Sequence, residues 1–249
     1  MINIGLQMFT VRDEAERDFT GALKKVASIG YKGIEFAGYY GMQAQELRKV
    51  LEDLGLQAVN SHVPLENLAK DVNKEIEYAK LLGMEAITVP YLSEAYRMDA
   101  SAFLKTSKLI AGLDECCSKA GMQLCYHNHD FEFNRIGTEF ILDIFLKESK
   151  GLKLELDTFW TSYAGVDTVE YMERQASRLQ FMHLKDMIKA EKPVFAEVGE
   201  GCLDIGSFIE KASEIGVRWA FVEQDVCRRP SLESAETSFM NIKKLDVFS

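Results

Sequence analysis

Cysteine pairs, prolines, long apolar runs and excess positive charge are all scarce in this 249-residue chain. The five cysteines (Cys116, Cys117, Cys125, Cys202, Cys227) are odd in number, none has CxxC spacing, and two are adjacent. A disulfide framework or a thiolate zinc site is therefore not expected, and a reducing cytoplasm suits the chain. No run of roughly 18 apolar residues occurs, so no membrane span is expected. The opening Met-Ile-Asn-Ile-Gly-Leu-Gln lacks the basic region and apolar stretch of a signal peptide and has the look of a strand. Lys and Arg total 29 against 39 Asp and Glu, a net charge of −10, which argues against a nucleic-acid surface. After that first strand comes Gln-Met-Phe-Thr-Val-Arg-Asp (7–13), with no glycine-rich phosphate loop, which weighs against an open doubly wound nucleotide-binding sheet.

What is present is a repeated joint. A helical stretch ends in glycine, two to four residues follow, and an apolar strand begins. The copies end at Gly30, Gly55, Gly83, Gly121 and Gly216. Glycine there supplies the left-handed conformation that closes a helix, so the phrase marks helix-to-strand turns of βα units. Strands are predicted near 3–8, 33–37, 58–62, 86–90, 123–128, 153–157, 180–184 and 219–224. Helices are predicted over 19–29, 45–54, 71–82, 101–120, 138–148, 167–177, 205–215 and 231–244, with Asp18, Ser101, Asp167, Asp204 and Ser231 as N-caps. Eight strands and eight helices at this spacing predict an α/β protein with one (β/α)8 TIM barrel domain over 1–249.

Histidine is rare, and its placement is not scattered. His62, His127, His129 and His183, all four in the chain, fall at predicted strand ends. Acids end two further strands, in Leu-Glu-Leu-Asp (154–157) and Phe-Val-Glu-Gln-Asp (221–225). In a barrel, chemistry gathers at the C-terminal ends of the strands, and residues i and i+2 share a face. The mouth is thus expected to receive Gln7, Glu35, His62, His127, His129, Asp157, His183, Lys185 and Glu223. Imidazoles among carboxylates are the ligand mixture of a divalent metal. A single histidine at a strand end is ordinarily a hydrogen-bonded core group; four of four, beside acids, favour a site. Glu35 and Glu155 belong either to that site or to a network neutralising Lys185. Trp160 is either loop packing or a wall for a sugar ring. Cys125 is expected in the core. Arg228–Arg229 follow strand eight, where barrels often hold phosphate, but such a pair can equally be solvated.

These motifs resemble the sugar phosphate isomerase/epimerase family of the xylose-isomerase-like TIM barrel superfamily. The likeness runs through Gly-Leu-Gln-Met-Phe-Thr-Val-Arg-Asp (5–13), Gly-Ile-Glu-Phe-Ala-Gly (33–38) and Tyr-His-Asn-His-Asp-Phe-Glu-Phe (126–133). It continues through Glu-Leu-Asp-Thr-Phe-Trp (155–160), His-Leu-Lys-Asp-Met (183–187), Glu-Val-Gly-Glu-Gly (197–201) and Phe-Val-Glu-Gln-Asp (221–225). The resemblance implies one divalent ion, Mn, Zn, Mg or Co, held at the ends of strands five to eight. Asp157, His183 and Glu223 match three ligands. The fourth is a glutamate in many epimerases, which use two facing glutamates as a pair of bases; this chain has His127 there. His127 or His129 is then a candidate base, and Glu132 is expected to reach the site from its loop.

The expectation is a metal-dependent isomerase/epimerase of a sugar or keto-sugar, phosphorylated or not, working through a metal-stabilised enediolate. The metal ligands would be His127, Asp157, His183 and Glu223. Glu223, His129 and Lys185 would be catalytic. Gln7, Glu35, His62, Glu132, Trp160 and Lys185 would bind substrate. The alternative is a dehydratase acting on a keto-sugar or cyclitol, like inosose dehydratase, since loss of a β-hydroxyl starts from the same intermediate. An endonuclease-IV-like repair enzyme would need more ligands and a basic face. A non-catalytic sugar-binding barrel would not need complete ligands. Expected partners are a small sugar or cyclitol, with no nucleic acid and no membrane; homo-oligomerisation is left open.

Overall fold

Eight short parallel strands recur along the chain: β1 (Asn3–Gln7), β2 (Gly33–Phe36), β3 (Gln57–Ser61), β4 (Ala86–Val89), β5 (Gln123–His127), β6 (Lys153–Asp157), β7 (Leu179–Leu184) and β8 (Trp219–Val222). In this computed structural model the described residues are 2–190, 192 and 194–245. The expected domain span of 1–249 also includes Met1, Glu191, Pro193 and 246–249, which lie outside them. Sheet order is β3-β2-β1-β8-β7-β6-β5-β4. β3 and β4 meet through one bridge between His62 and Thr88 and the Val63 amide, which donates to the Thr88 carbonyl at 2.9 Å. The sheet is thereby a nearly closed TIM barrel.

Eight main helices separate the strands: α1 (Phe19–Ile29), α2 (Ala44–Leu54), α3 (Leu65–Leu82), α4 (Ala100–Lys119), α5 (Ile141–Glu148), α6 (Thr168–Arg174), α7 (Ile205–Ile215) and α8 (Ser231–Ile242). The five joint glycines all take positive φ. Asp18, Asp167 and Asp204 cap their helices as expected. Ser101 and Ser231 do not. Asp99 caps α4 by accepting from the Ala102 amide at 2.8 Å, and the Ser231 hydroxyl donates to Asp13 instead. α3 starts six residues earlier than predicted. It is two helical pieces joined at Asp71 (φ −160°, ψ 82°), whose carboxylate accepts from the Lys74 amide as the cap of the second piece. α5 starts later than predicted because Arg135–Ile136 and Glu139–Phe140 pair as a small antiparallel hairpin. No helix among the described residues is long and apolar enough to cross a membrane.

The two faces of the barrel strands do different work. Outward residues such as Leu6, Ile34, Ile87, Leu124, Leu154, Met182 and Ala220 join the helices in the main apolar core. Inward residues Val59, Ala86, Cys125, Phe181, Trp219 and Phe221 form a separate cluster. Trp219 and Phe221 stack at 6.2 Å and Phe181 meets Phe221 edge-on at 5.7 Å. Three aromatic rings plug the lower barrel, and two glycines make room for them. A Cβ at Gly33 would stand 2.3 Å from the Trp219 ring, and one at Gly5 2.6 Å from Phe221. With the bottom filled by rings, the upper interior is left to polar residues further along the strands, such as Gln7, Glu35, Thr88 and His183, each two positions beyond Gly5, Gly33, Ala86 and Phe181.

Substituting Gly33→Ala should overpack this plug and cost about 1–3 kcal/mol in urea unfolding. Combining it with Trp219→Leu should recover part of that loss, because the two share one volume. Strictly additive losses would contradict the packing described.

Candidate active site

Above the aromatic plug lies a tier of neutral and charged polar groups: Gln7, Glu35, Asn60, Thr88, Glu155 and His183, each fully buried. Leaving any of them unpaired would be costly, so their partners matter. Glu35 Oε2 accepts from Gln7 Nε2 at 2.7 Å and lies 2.6 Å from His183 Nε2. Its Oε1 accepts from Asn60 Nδ2 at 2.6 Å, and Asn60 also reaches Thr88 and Glu155. His62 Nε2 lies 2.7 Å from Glu155 Oε2. Two carboxylates in one pocket are pushed apart in proton affinity. Burial, with Glu155 beside it, pushes Glu35 up to about 7. Burial also works against the Glu155 charge, but His183 and His62 override it and hold that carboxyl well below the usual range. Neither acid is bonded to Lys185; both serve histidines.

The mouth tier is built from β5 to β8. His127, Asp157, His183 and Glu223 each present one ligand atom, and the four atoms lie within 4.8 Å of one another. Asp157 divides its carboxylate. Oδ1 caps the short helix Thr158–Tyr163 by accepting from the Trp160 amide at 2.8 Å, while Oδ2 faces His127 Nε2 and Lys185 Nζ, both at 3.1 Å. Glu223 Oε2 lies 2.8 Å from His183 Nδ1 and 2.6 Å from Lys185 Nζ. The Lys185 ammonium also meets Asp225 at 2.9 Å. Burial opposes its charge, yet Asp157, Glu223 and Asp225 together keep it protonated well beyond a normal lysine. Burial opposes ionisation of Glu223 too, and Lys185 and His183 overcome it.

The donor set fits a divalent cation. His127 Nδ1 lies 3.1 Å from the Pro90 carbonyl, which can only accept, so Nδ1 carries the hydrogen. Burial and the neighbouring His183 hold this imidazole below its ordinary proton affinity. In the neutral ring its Nε2 is then a bare lone pair 3.1 Å from Asp157 Oδ2. Two acceptors at that distance repel unless a cation is shared between them. His183 repeats the arrangement, with Nε2 toward Glu35 and Nδ1 toward Glu223. A ligating histidine ordinarily anchors its other nitrogen on a carbonyl or carboxylate in this way. Burial disfavours a proton on His183, but Glu35, Glu155 and Glu223 draw one on strongly; the same field attracts a metal ion. Glu35, His62, Glu155 and His183 also lie within ligand reach of one another, but Gln7 and Asn60 already donate to their oxygens.

A cleft of about 550 Å³ opens over this tier, lined by His62, His127, His129, Glu223 and Asp225 below and by Phe9, Tyr39 and Tyr91 at the sides. His129 flanks His127, with ring centroids 5.0 Å apart, and its buried Nδ1 has no partner. Burial, then His127 and Lys185, hold it well below the usual histidine range. Gln7 and Glu35 sit beneath the floor rather than on it. Trp160 packs on His129 at 5.3 Å and on Phe159 and Phe195, with its indole N–H buried and unpartnered. Glu132 does not line the cleft. Tyr126 donates to one of its oxygens at 2.5 Å and the His129 amide to the other at 2.8 Å, so it ties down the His129 loop. Sequence reasoning passed over Asn60, Thr88 and Asn128, whose Oδ1 accepts from the Asp157 amide at 3.0 Å. Asn128 lies between His127 and His129 in the 126–133 segment, which is its only signal; Asn60 and Thr88 carry none.

Residues 23–245 match the family described as xylose isomerase-like TIM barrel. An inosose dehydratase of Geobacillus kaustophilus is 23% identical over 242 residues, 82% of this chain and 79% of that protein. A sugar phosphate isomerase/epimerase from Parabacteroides distasonis superposes with a TM-score of 0.87 at 21% identity over the whole of both chains. An L-ribulose 3-epimerase gives 0.74 at 18% identity, over 98% of this chain and 94% of its own.

Because Glu35 anchors His183 without touching the cleft, Glu35→Gln should weaken divalent-metal affinity by about 10–100-fold. Equilibrium dialysis of the stripped protein against Mn or Zn measures this, and an unchanged affinity would detach Glu35 from the site.

Proposed function

Since the chain belongs to the xylose isomerase-like TIM barrel family, we propose that it is a divalent-metal-dependent isomerase or epimerase of keto-sugars. The observation that carries this reading is the His127 Nε2 lone pair facing Asp157 Oδ2, with His183 and Glu223 in ligand reach. His127, Asp157, His183 and Glu223 would hold the ion. When bound, such an ion draws electron density from a substrate carbonyl and acidifies the neighbouring C–H.

The remaining steps fall to side chains. His129 lines the cleft beside His127, and burial favours its uncharged form, so it would take the proton. Lys185 Nζ, buried and bonded to Asp157, Glu223 and Asp225, would act by holding those carboxylates ionised and in place beneath the substrate. His62, anchored on Glu155 through Nε2, presents its other nitrogen to substrate hydroxyls. Phe9 and Tyr91 give the cleft apolar sides against which a sugar ring can pack. Return of the proton to the adjacent carbon gives isomerisation; return to the opposite face gives epimerisation.

A second reading, dehydration of a keto-sugar or cyclitol, has its own support. The strand-five position carries His127 where many epimerases carry a second glutamate base, and a relative 23% identical over 242 residues is named inosose dehydratase. Loss of a β-hydroxyl needs a proton donor to the leaving oxygen, a role that would fall to His62, which lines the cleft.

His129→Gln is expected to lower kcat by about 10²–10⁴-fold with bound metal unchanged, and stripping the metal should abolish turnover until it is returned. Running the reaction in D2O separates the two readings. Deuterium next to the carbonyl of an isomeric product indicates isomerase or epimerase, and a product lacking the elements of water indicates dehydratase. A His129→Gln enzyme of full activity would remove that residue from proton transfer.

A further inference from the structure

Barrels of this architecture often seat a phosphate among the loops that follow strands seven and eight. In this chain the protein's own acids take the backbone amides of that position and one of its two arginines, Arg229, while Arg228 lies exposed. After β7, residues 197–203 fold around Asp186, which is 1% exposed. Its Oδ2 accepts from the amides of Gly199 at 3.0 Å and Gly201 at 2.9 Å. Its Oδ1 accepts from Met187 at 2.8 Å and Leu203 at 3.1 Å. Converging backbone N–H groups are the means by which loops bind phosphate, and here a carboxylate fills the cradle. Its closeness explains Gly201, where a Cβ would stand 2.1 Å from Asp186 Oδ1. After β8, the Arg229 guanidinium is clamped by both oxygens of Glu200, at 3.2 and 2.8 Å.

The cleft itself has the same sign. Among its described lining residues none is Lys or Arg, whereas Glu75, Glu223 and Asp225 are acids. The Lys185 ammonium is shared by three carboxylates. The guanidinium of Arg12 donates to the carbonyls of Phe9 and Asp225 and lies 4.0 Å over the Phe9 ring.

We infer that the substrate is an uncharged polyol, an unphosphorylated keto-sugar or cyclitol. The inference rests on the sugar or cyclitol reading of the cleft and narrows it. A phosphate dianion entering here would meet Glu75 and Asp225, acids outside the proposed metal ligands, and find the amide cradle and Arg229 already satisfied; like charges brought together in a confined site carry a penalty.

The test pairs D-fructose with D-fructose 6-phosphate and L-ribulose with L-ribulose 5-phosphate on the metal-loaded enzyme, reading binding by calorimetry and conversion by kcat/KM. The free sugar should be preferred by about tenfold or more in each pair. Equal or tighter binding of the ester overturns the inference whatever the enzyme converts, and so does binding of neither member. Tighter binding of the free sugar without conversion supports it and rejects the isomerase reading alone.

Discussion

Charge buried inside a closed sheet is the constraint on which the rest of this molecule depends. Glu35, Glu155, Asp157, His183, Lys185 and Glu223 all lie within the barrel at 5% exposure or less. Isolated, each ion would cost several kcal/mol to desolvate. They persist because each faces an opposite charge or a fixed donor, and because the barrel brings eight strand ends to one place. The aromatic plug of Phe181, Trp219 and Phe221 completes the arrangement. It fills the lower interior, removes water from beneath the polar tier, and forces the next inward residues up to the mouth.

Function follows from how the pairing is divided between tiers. Orientation is fixed from outside the ligand cluster: Glu35 in the lower tier holds one nitrogen of His183, Glu155 one nitrogen of His62, and the Pro90 carbonyl after β4 one nitrogen of His127. Each ring is thereby left with its other nitrogen committed to the mouth. Asp157 does likewise, spending one oxygen on a helix cap and aiming the other at the ligand cluster. The groups proposed to hold a metal are thus oriented by bonds made elsewhere, which is how a site stays aligned when its ion is exchanged.

Much of this was legible in the sequence, for identifiable reasons. The glycine-ended helices and the inward alternation of His127, Asp157, His183 and Glu223 follow from local rules, so the barrel and the meeting of these residues could be foreseen. The partners of Glu35 and Glu155 could not. Whether they served Lys185 or the histidines depends on strand stagger, and the irregular registers between β2 and β3 and between β6 and β7 lie outside any periodicity. Asn60 and Thr88 were silent because a neutral residue on a strand carries no charge signal until its neighbours are known. Glu132 looked like a loop acid free to reach substrate; the hydroxyl of Tyr126, six residues earlier, and the amide of His129 turn it inward. Ser101 and Ser231 lost their caps to Asp99 and Pro230, a shift of one or two residues that spacing alone does not resolve.

We propose that His127, Asp157, His183 and Glu223 together hold one divalent ion. Calorimetric titration of stripped protein with Mn or Zn, in the native chain and in the Asp157→Asn and His127→Gln variants, tests it most directly. A single ion per native chain is expected, with greatly weakened binding in both variants while their folding is retained. Native-like affinity in either variant, or no binding by the native chain, would contradict it.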